Sequence, residues 1–197
     1  THLPSPVSYP ELDESEVIDP AALIDLTDQL QADGRLEWDV PAGEWTILRM
    51  GRRSSGANTR PAAAAGLGFE SNKFDRDALE SHFKAYFDPL LKEIGPRAKD
   101  RTTGFTGLDA DRWEMSSQNW TPGFREAFQQ RRGYDPWPYF PVYSGCVVES
   151  REVSERFLWD VRMTCQELLL ENHISHMKKL CHERGLKLAI EPYDMNP

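Results

Sequence analysis

Asp109, Asp111 and Glu114 fall close together in the stretch Thr103 to Pro122, TGFTGLDADRWEMSSQNWTP. Trp113 and Trp120 lie beside them, with side-chain amides at Gln118 and Asn119. This mixture suits a sugar-processing cleft. Indole faces cover the apolar faces of a pyranose, amides bond its hydroxyls, and carboxyl groups transfer protons. A further acid, Glu191, ends the apolar run Leu186 to Ile190 and stands near Tyr193. Glu114 and Glu191 are therefore the candidate catalytic carboxylates. Glycoside hydrolysis needs two carboxyl groups across the scissile bond, about 5–5.5 Å apart for retention and about 6.5–9.5 Å for inversion. The competing reading makes them solvated surface acids, the usual fate of a carboxylate.

The elements around these residues must deliver them to one place. Small and apolar residues before Asp109 predict a buried strand. Thr121-Pro122 predicts an N-cap followed by proline at the first helical position. The acids thus lie between a strand exit and a helix entry, where α/β folds build their sites. Leu186 to Ile190 predicts the second strand, which delivers Glu191. A helix before the first strand is predicted from Asp75, with Leu79, Phe83, Phe87, Leu90, Leu91 and Ile94 at helical period, a kink at Pro89 and an end at Gly95-Pro96. A second helix is predicted from Pro122 to Arg132, with Phe124 and Phe128 inward and Gly133 as its stop. Residues 134–152 read as an ordered, proline- and aromatic-rich loop. A third helix from about Ser154 to Gly185 is long enough to expect a bend.

The order helix, strand, helix, loop, helix, strand predicts an α/β chain with parallel strands ending in acids at one edge. That is the arrangement of a (β/α) barrel of the TIM type, of which two strands make only a part. Residues 73–197 are accordingly expected to form a partial barrel catalytic region. Residues 1–72 are expected to form a linker and β-hairpin segment from an accessory or inserted β region. Within it, residues 1–20 read as linker and Asp25 to Leu30 as a turn of helix. Leu36 to Val40 and Trp45 to Met50 alternate as strands around Pro41-Ala42-Gly43-Glu44. The Gly- and Ala-rich residues 51–72 read as a long loop, with Arg52, Arg53 and Arg60 either solvated or lining a cleft.

The bulk properties exclude several classes. The chain has 197 residues, 39% hydrophobic and 28% charged, a globular balance. Its net charge of −9 disfavours nucleic acid and anionic membranes as partners. No apolar run approaches the roughly 20 residues of a membrane span, and the first residues do not read as a signal peptide. Cys146, Cys165 and Cys181 are odd in number and have no CxxC spacing, so all three are expected to be reduced. Asp109, Asp111 and Glu114 could hold Ca²⁺ through oxygen, although DADRWE lacks the EF-hand pattern; turn and cap acids are the alternative. His173, His176 and His182 with Cys181 lack a zinc-binding motif and read as a polar helix flank with a buried cysteine. Neither a phosphate loop nor a G-x-S-x-G elbow is present.

Several separate motifs, in one order, resemble glycoside hydrolase family 106, the α-L-rhamnosidases. They are LEWDVPAGEWTILRMG from Leu36, GLDADRWEMSSQNWTPGF from Gly107, RRGYDPWPY from Arg131, SERFLWDVR from Ser154 and GLKLAIEPY from Gly185. The resemblance covers roughly residues 30–197. It implies a large, exported bacterial enzyme, periplasmic or secreted, that removes α-linked L-rhamnose from plant polysaccharides or glycosides. It also implies inversion, a (β/α)₈ catalytic barrel with added β-domains, and Ca²⁺ near the sugar. Matched to the family's motifs, Glu114 is the general acid, and Asp111 is the aspartate of the same run, assigned to the metal. Glu191 is the glutamate of the EPY motif, in contact with sugar or calcium. Trp113, Gln118, Asn119, Trp120 and Tyr193 are expected to bind substrate. The general base is expected beyond Pro197. Arg112 departs from the small residue usual at its position, which bears on the shape of the site.

The expected function is thus part of an inverting α-L-rhamnosidase, inactive as an isolated piece and completed by the remainder of the enzyme. Two rivals differ in class or sugar: a non-catalytic carbohydrate-binding module stacking through Trp38, Trp45, Trp113 and Trp120, and a barrel glycosidase of another specificity.

Overall fold

A computed structural model describes residues 11–58, 62–94, 104–110 and 118–191. Among these residues the chain is mixed α/β. Its strands are β1 (Val17–Ile18), β2 (Gly107–Ala110), β3 (Val147–Val148) and β4 (Lys187–Ile190). Its α-helices are α1 (Arg76–His82), α2 (Asp88–Ile94), α3 (Phe124–Arg132), α4 (Arg151–Leu169) and α5 (His176–Glu183). The strands form two parallel pairs, β1 with β3 and β2 with β4. Two units divide the chain: residues 1–51 with 134–159, and residues 52–133 with 160–197.

The second unit carries the acid-bearing strands. Asp75 caps α1 by accepting from the backbone N–H of Asp77 at 2.9 Å. Leu79 and Phe83 then recur on one face and enter a core with Leu180, Cys181 and Leu186. Leu108 of β2 and Leu188 of β4 pack against that core from the sheet. Side chains alternate along a strand, so Asp109 and Ala189, which are paired in register, lie on the opposite face. The kink expected at Pro89 takes the form of a π turn, Phe83–Phe87, immediately before α2. Proline supplies no N–H and crowds the preceding turn, and the wider turn accommodates both effects. The break expected in the last long helix is likewise a π segment, Leu170–Ser175, between α4 and α5.

Charged pairs join elements distant in sequence. Arg184 donates to both carboxylate oxygens of Asp88, at 2.6 and 3.0 Å, and to the Leu180 carbonyl at 3.1 Å. Its guanidinium also lies 5.2 Å from the centre of the Phe83 ring. Arg184 holds the Asp88 carboxyl below its ordinary value. In α3, Phe124 and Phe128 are buried as expected and Gly133 ends the helix at φ 83°. Arg132 of α3 pairs with Glu167 and donates to the buried Thr164 hydroxyl at 3.1 Å.

The helix entry before α3 departs from expectation. Gly123, at φ 78°, is the N-cap, and helix begins at Phe124 rather than at Pro122. Thr121 is buried, and its hydroxyl accepts a hydrogen bond from Asn72 instead of capping the helix.

In the first unit the expected hairpin does not form: residues 37–50 contain no strand. The alternation of apolar and polar residues is present, but among the described residues no neighbouring strand receives it. Isolated hairpins gain too little to form a ladder on their own. Trp38 and Trp45 nevertheless meet edge to face at 5.4 Å, and the Trp45 indole donates to the Pro41 carbonyl at 2.9 Å. Val40, Ile47, Leu48 and Met50 are left exposed. Conversely, Val17–Ile18, within the stretch that reads as linker, pairs with Val147–Val148. Next to that pair, Ser154 accepts from the Val148 N–H at 2.9 Å and donates to its carbonyl at 3.1 Å. The aromatic loop is ordered as a 3-10 helix, Trp137–Ser144, with Tyr139 and Tyr143 against the buried Phe157.

Candidate active site

β2 and β4 run parallel with Leu108 opposite Leu188 and Ala110 opposite Ile190. Ladder pairing continues one residue further, where the N–H of Glu191 donates to the Ala110 carbonyl at 3.2 Å. The chain therefore leaves both strands at the same edge, towards Asp111 on one side and from Glu191 on the other. The close pairing depends on Gly107. A Cβ there would stand 3.0 Å from the Lys187 carbonyl oxygen. Asp109 and Glu191 are both exposed at this edge.

Of the residues expected at the site, Glu191, Gln118, Asn119 and Trp120 are placed in this unit. Asp111, Trp113, Glu114 and Tyr193 lie outside the described residues. Asn119 is exposed. Trp120 is half-buried, its ring 5.0 Å from that of Phe124. Gln118 has a role that its sequence neighbourhood does not announce. Its Oε1 accepts from the Lys73 N–H at 3.1 Å, and its Nε2 donates to Asn72 Oδ1 at 2.5 Å and to the Trp120 carbonyl at 3.2 Å. Asn72 in turn donates to the Thr121 hydroxyl at 2.7 Å and accepts from the Phe74 N–H at 3.1 Å. Neither Asn72 nor Lys73 belongs to a motif, and they meet Gln118 only through the fold. The nearest local signal is the Asx turn that Asn72 makes just before α1.

Of the histidines expected on a polar helix flank, His182 is exposed but His173 and His176 are buried, and Cys181 is buried as expected. Burial pushes the His173 imidazole down to about 4, and His176 Nε2 lies 3.1 Å from Glu80 Oε1. Burial also raises the Cys165 thiol to about 12. Cys146, Cys165 and Cys181 are all free, as expected. Among the described residues no three His, Cys, Asp or Glu side chains are grouped to hold a metal ion. Among the same residues no helix is long and apolar enough to cross a membrane.

Comparison with known proteins agrees with the motifs. A family model described as alpha-L-rhamnosidase, glycoside hydrolase family 106, matches residues 3–196. The solved structure of a rhamnosidase from Novosphingobium sp. PP1Y is similar over 91% of this chain, with 33% identity and a TM-score of 0.71. A protein of Formosa agariphila provisionally named beta-glucuronidase is 39% identical over 177 residues, 90% of this chain. An α/β chain with acids at a shared strand edge and these relatives is glycosidase sequence. The chain belongs to glycoside hydrolase family 106, the α-L-rhamnosidases. It spans 15% of the Formosa protein's length and 17% of the Novosphingobium chain.

Proposed function

We propose that this chain supplies the acid-bearing strand edge of an inverting α-L-rhamnosidase acting on plant polysaccharides or glycosides. The observation that carries the reading is the bond from the Glu191 N–H to the Ala110 carbonyl, because it joins the exits of the two acid-bearing strands. Glu114 is four residues beyond Ala110 in sequence. Four extended residues reach no more than about 14 Å, so covalent geometry keeps the two glutamates in one neighbourhood. Glu114 protonates the glycosidic oxygen as the bond breaks. A carboxylate base from the remainder of the enzyme takes a proton from water on the opposite face of the sugar. Glu191 contacts the sugar or its metal, and Trp113, Asn119, Trp120 and Tyr193 line the pyranose.

Two parallel strands joined through helices are the repeating unit of a (β/α) barrel, so residues 73–197 are read as part of one, with residues 1–72 as its preceding segment. The remaining strands come from the rest of the enzyme, which is exported. The donors at this edge are oxygen atoms, which fits a hard cation such as Ca²⁺. Asp109 and Glu191 offer carboxylates, and Asp111 completes the set in this reading. When bound, the ion supplies positive charge that orients sugar hydroxyls.

The test is release of aglycone from an aryl α-L-rhamnoside by the full-length enzyme, with the first-formed anomer followed by NMR. Activity with inversion, lost in Glu114→Gln, is expected. Full activity in Glu114→Gln would overturn the assignment. The name of the Formosa relative favours a second reading, hydrolysis of a β-glucuronide, so the matching aryl β-glucuronide belongs in the same assay. A binding module instead predicts sugar affinity that survives Glu114→Gln and is lost with Trp120→Ala.

A further inference from the structure

The two faces of the β2–β4 pair carry different chemistry. Leu108 and Leu188 pack against the helix-lined core. Side chains alternate along a strand, so the other face carries Gly107 and Asp109 from β2 and Lys187, Ala189 and Glu191 from β4. Exposure alternates in step. Lys187, Ala189 and Glu191 are exposed, while Leu188 and Ile190 between them are half-buried. Asp109, paired with Ala189, is exposed as well. On this face, among the described residues of the two strands, Ala189 carries the one uncharged side chain. Its methyl stands one pleat before Glu191, about 6–7 Å at strand rise, and about 5 Å across from Asp109 at strand spacing.

In the barrel reading this face is the interior. Barrel interiors are filled by layers of bulky, branched side chains. Here one rung offers a glycine beside Lys187, and the next offers an acid beside a methyl. This sector therefore leaves room directly beneath Glu191. Substrates of such barrels bind at the C-terminal edge of the strands, which is where Glu191 stands. The space is bounded by a small apolar surface and the carboxylates of Asp109 and Glu191. An α-L-rhamnosyl unit has the matching pattern: ring hydroxyls that donate to carboxylates, and a methyl group at C6. We infer that Ala189 is a specificity-determining residue, its methyl forming the floor against which C6 of the sugar rests. This rests on the rhamnosidase reading, with Glu191 at the sugar.

The experiment uses the full-length enzyme and three aryl glycosides that differ only at C5. The α-L-rhamnoside carries a methyl there, the α-L-mannoside a hydroxymethyl and the α-L-lyxoside a hydrogen. Ala189→Val adds two methyl groups to the floor. On the rhamnoside kcat/KM is expected to fall about 10- to 200-fold, the scale on which pocket space for one methylene discriminates. On the lyxoside, which has no C6, the loss is expected to stay within about 3-fold, since a change acting only on C6 leaves the rest of the site alone. Should Ala189→Val fail to fold, or the lyxoside react too slowly to measure, Ala189→Ser carries the test. It changes the volume little and offers a hydroxyl to O6 of the mannoside. The ratio of rhamnoside to mannoside kcat/KM should then fall about 3- to 10-fold, the scale of one neutral hydrogen bond.

Equal losses on rhamnoside and lyxoside in Ala189→Val, no loss on either, or an unchanged ratio in Ala189→Ser would each overturn the role of Ala189 and leave the enzyme a rhamnosidase. If the unmodified enzyme hydrolyses none of the three glycosides, the rhamnosidase reading fails first and takes this inference with it.

Discussion

Asp109 and Ala189 face each other across a parallel ladder in which Gly107 faces Lys187 two residues earlier. The acid-bearing edge is therefore set by a glycine that allows close approach. Gly107→Ala would press a methyl group to 3.0 Å from the Lys187 carbonyl oxygen, a backbone atom that cannot withdraw without loosening the ladder. A net loss of about 1 kcal/mol is expected in urea unfolding, overpacking outweighing the gain from a less flexible unfolded chain. Gly51→Ala, where nothing stands within 4 Å, is the control and should be neutral or slightly stabilising.

Glu191 is exposed, and its backbone N–H rather than its side chain joins the ladder. Glu191→Gln should thus leave the unfolding midpoint unchanged while lowering rhamnoside hydrolysis by the full-length enzyme by about 10²-fold or more, the scale on which a group bearing on transition-state charge acts. Steady-state kinetics beside a thermal melt checks both halves. Unchanged kinetics would remove Glu191 from the site.

His173 makes stability depend on pH. Its folded value lies near 4 because burial disfavours the imidazolium, against an ordinary value of 6.5. Between those values the unfolded chain binds a proton that the folded chain does not. Stability is then complete above pH 6.5 and declines as pH falls towards about 4, by about 3 kcal/mol in all. His173→Gln should flatten the stability profile in that window whatever it does at neutral pH. A parallel pair of profiles would show that His173 does not titrate this way.

Ser154 satisfies both backbone groups of Val148, itself fully buried. Ser154→Ala strands the buried Val148 N–H, while the Val148 carbonyl keeps the Ser150 N–H, and should cost about 1–3 kcal/mol, measured by denaturant unfolding. The volume change is small, so a loss of this size reports the hydrogen bonds rather than a cavity.

Arg184 grips Asp88 with two donors. Arg184→Lys keeps the charge and loses the fork, and is expected to cost about 1 kcal/mol, modest because Asp88 is partly exposed. The Asp88 carboxyl is held below its ordinary value by Arg184. The pair's contribution is therefore full above the ordinary carboxylate value and disappears as pH falls through the lowered one. A double-mutant cycle with Asp88→Asn at two pH values tests this.

Sequence alone determined the elements whose signals are local. The Asp75 cap, the recurrence of Leu79 and Phe83, the stop at Gly133 and the apolar run ending at Glu191 each depend on neighbours within a turn or two. The ordered motifs determined the family for the same reason, since they are strings of adjacent residues. Tertiary structure decided whatever needed a distant partner. Leu36 to Met50 alternates like a strand pair, but a ladder requires a sheet to join, and residues 37–50 remain without one. Thr121 has the chemistry of a helix cap, yet Asn72, 49 residues away, takes its hydroxyl. Gln118 reads as a sugar-binding amide, and only the fold shows Asn72 and Lys73 brought against it. His173 and His176 read as part of a polar helix flank because their spacing cannot say which face of the helix is covered. A hydrogen bond is worth the same whether its partner is near or far in sequence, but only a near partner leaves a pattern to read.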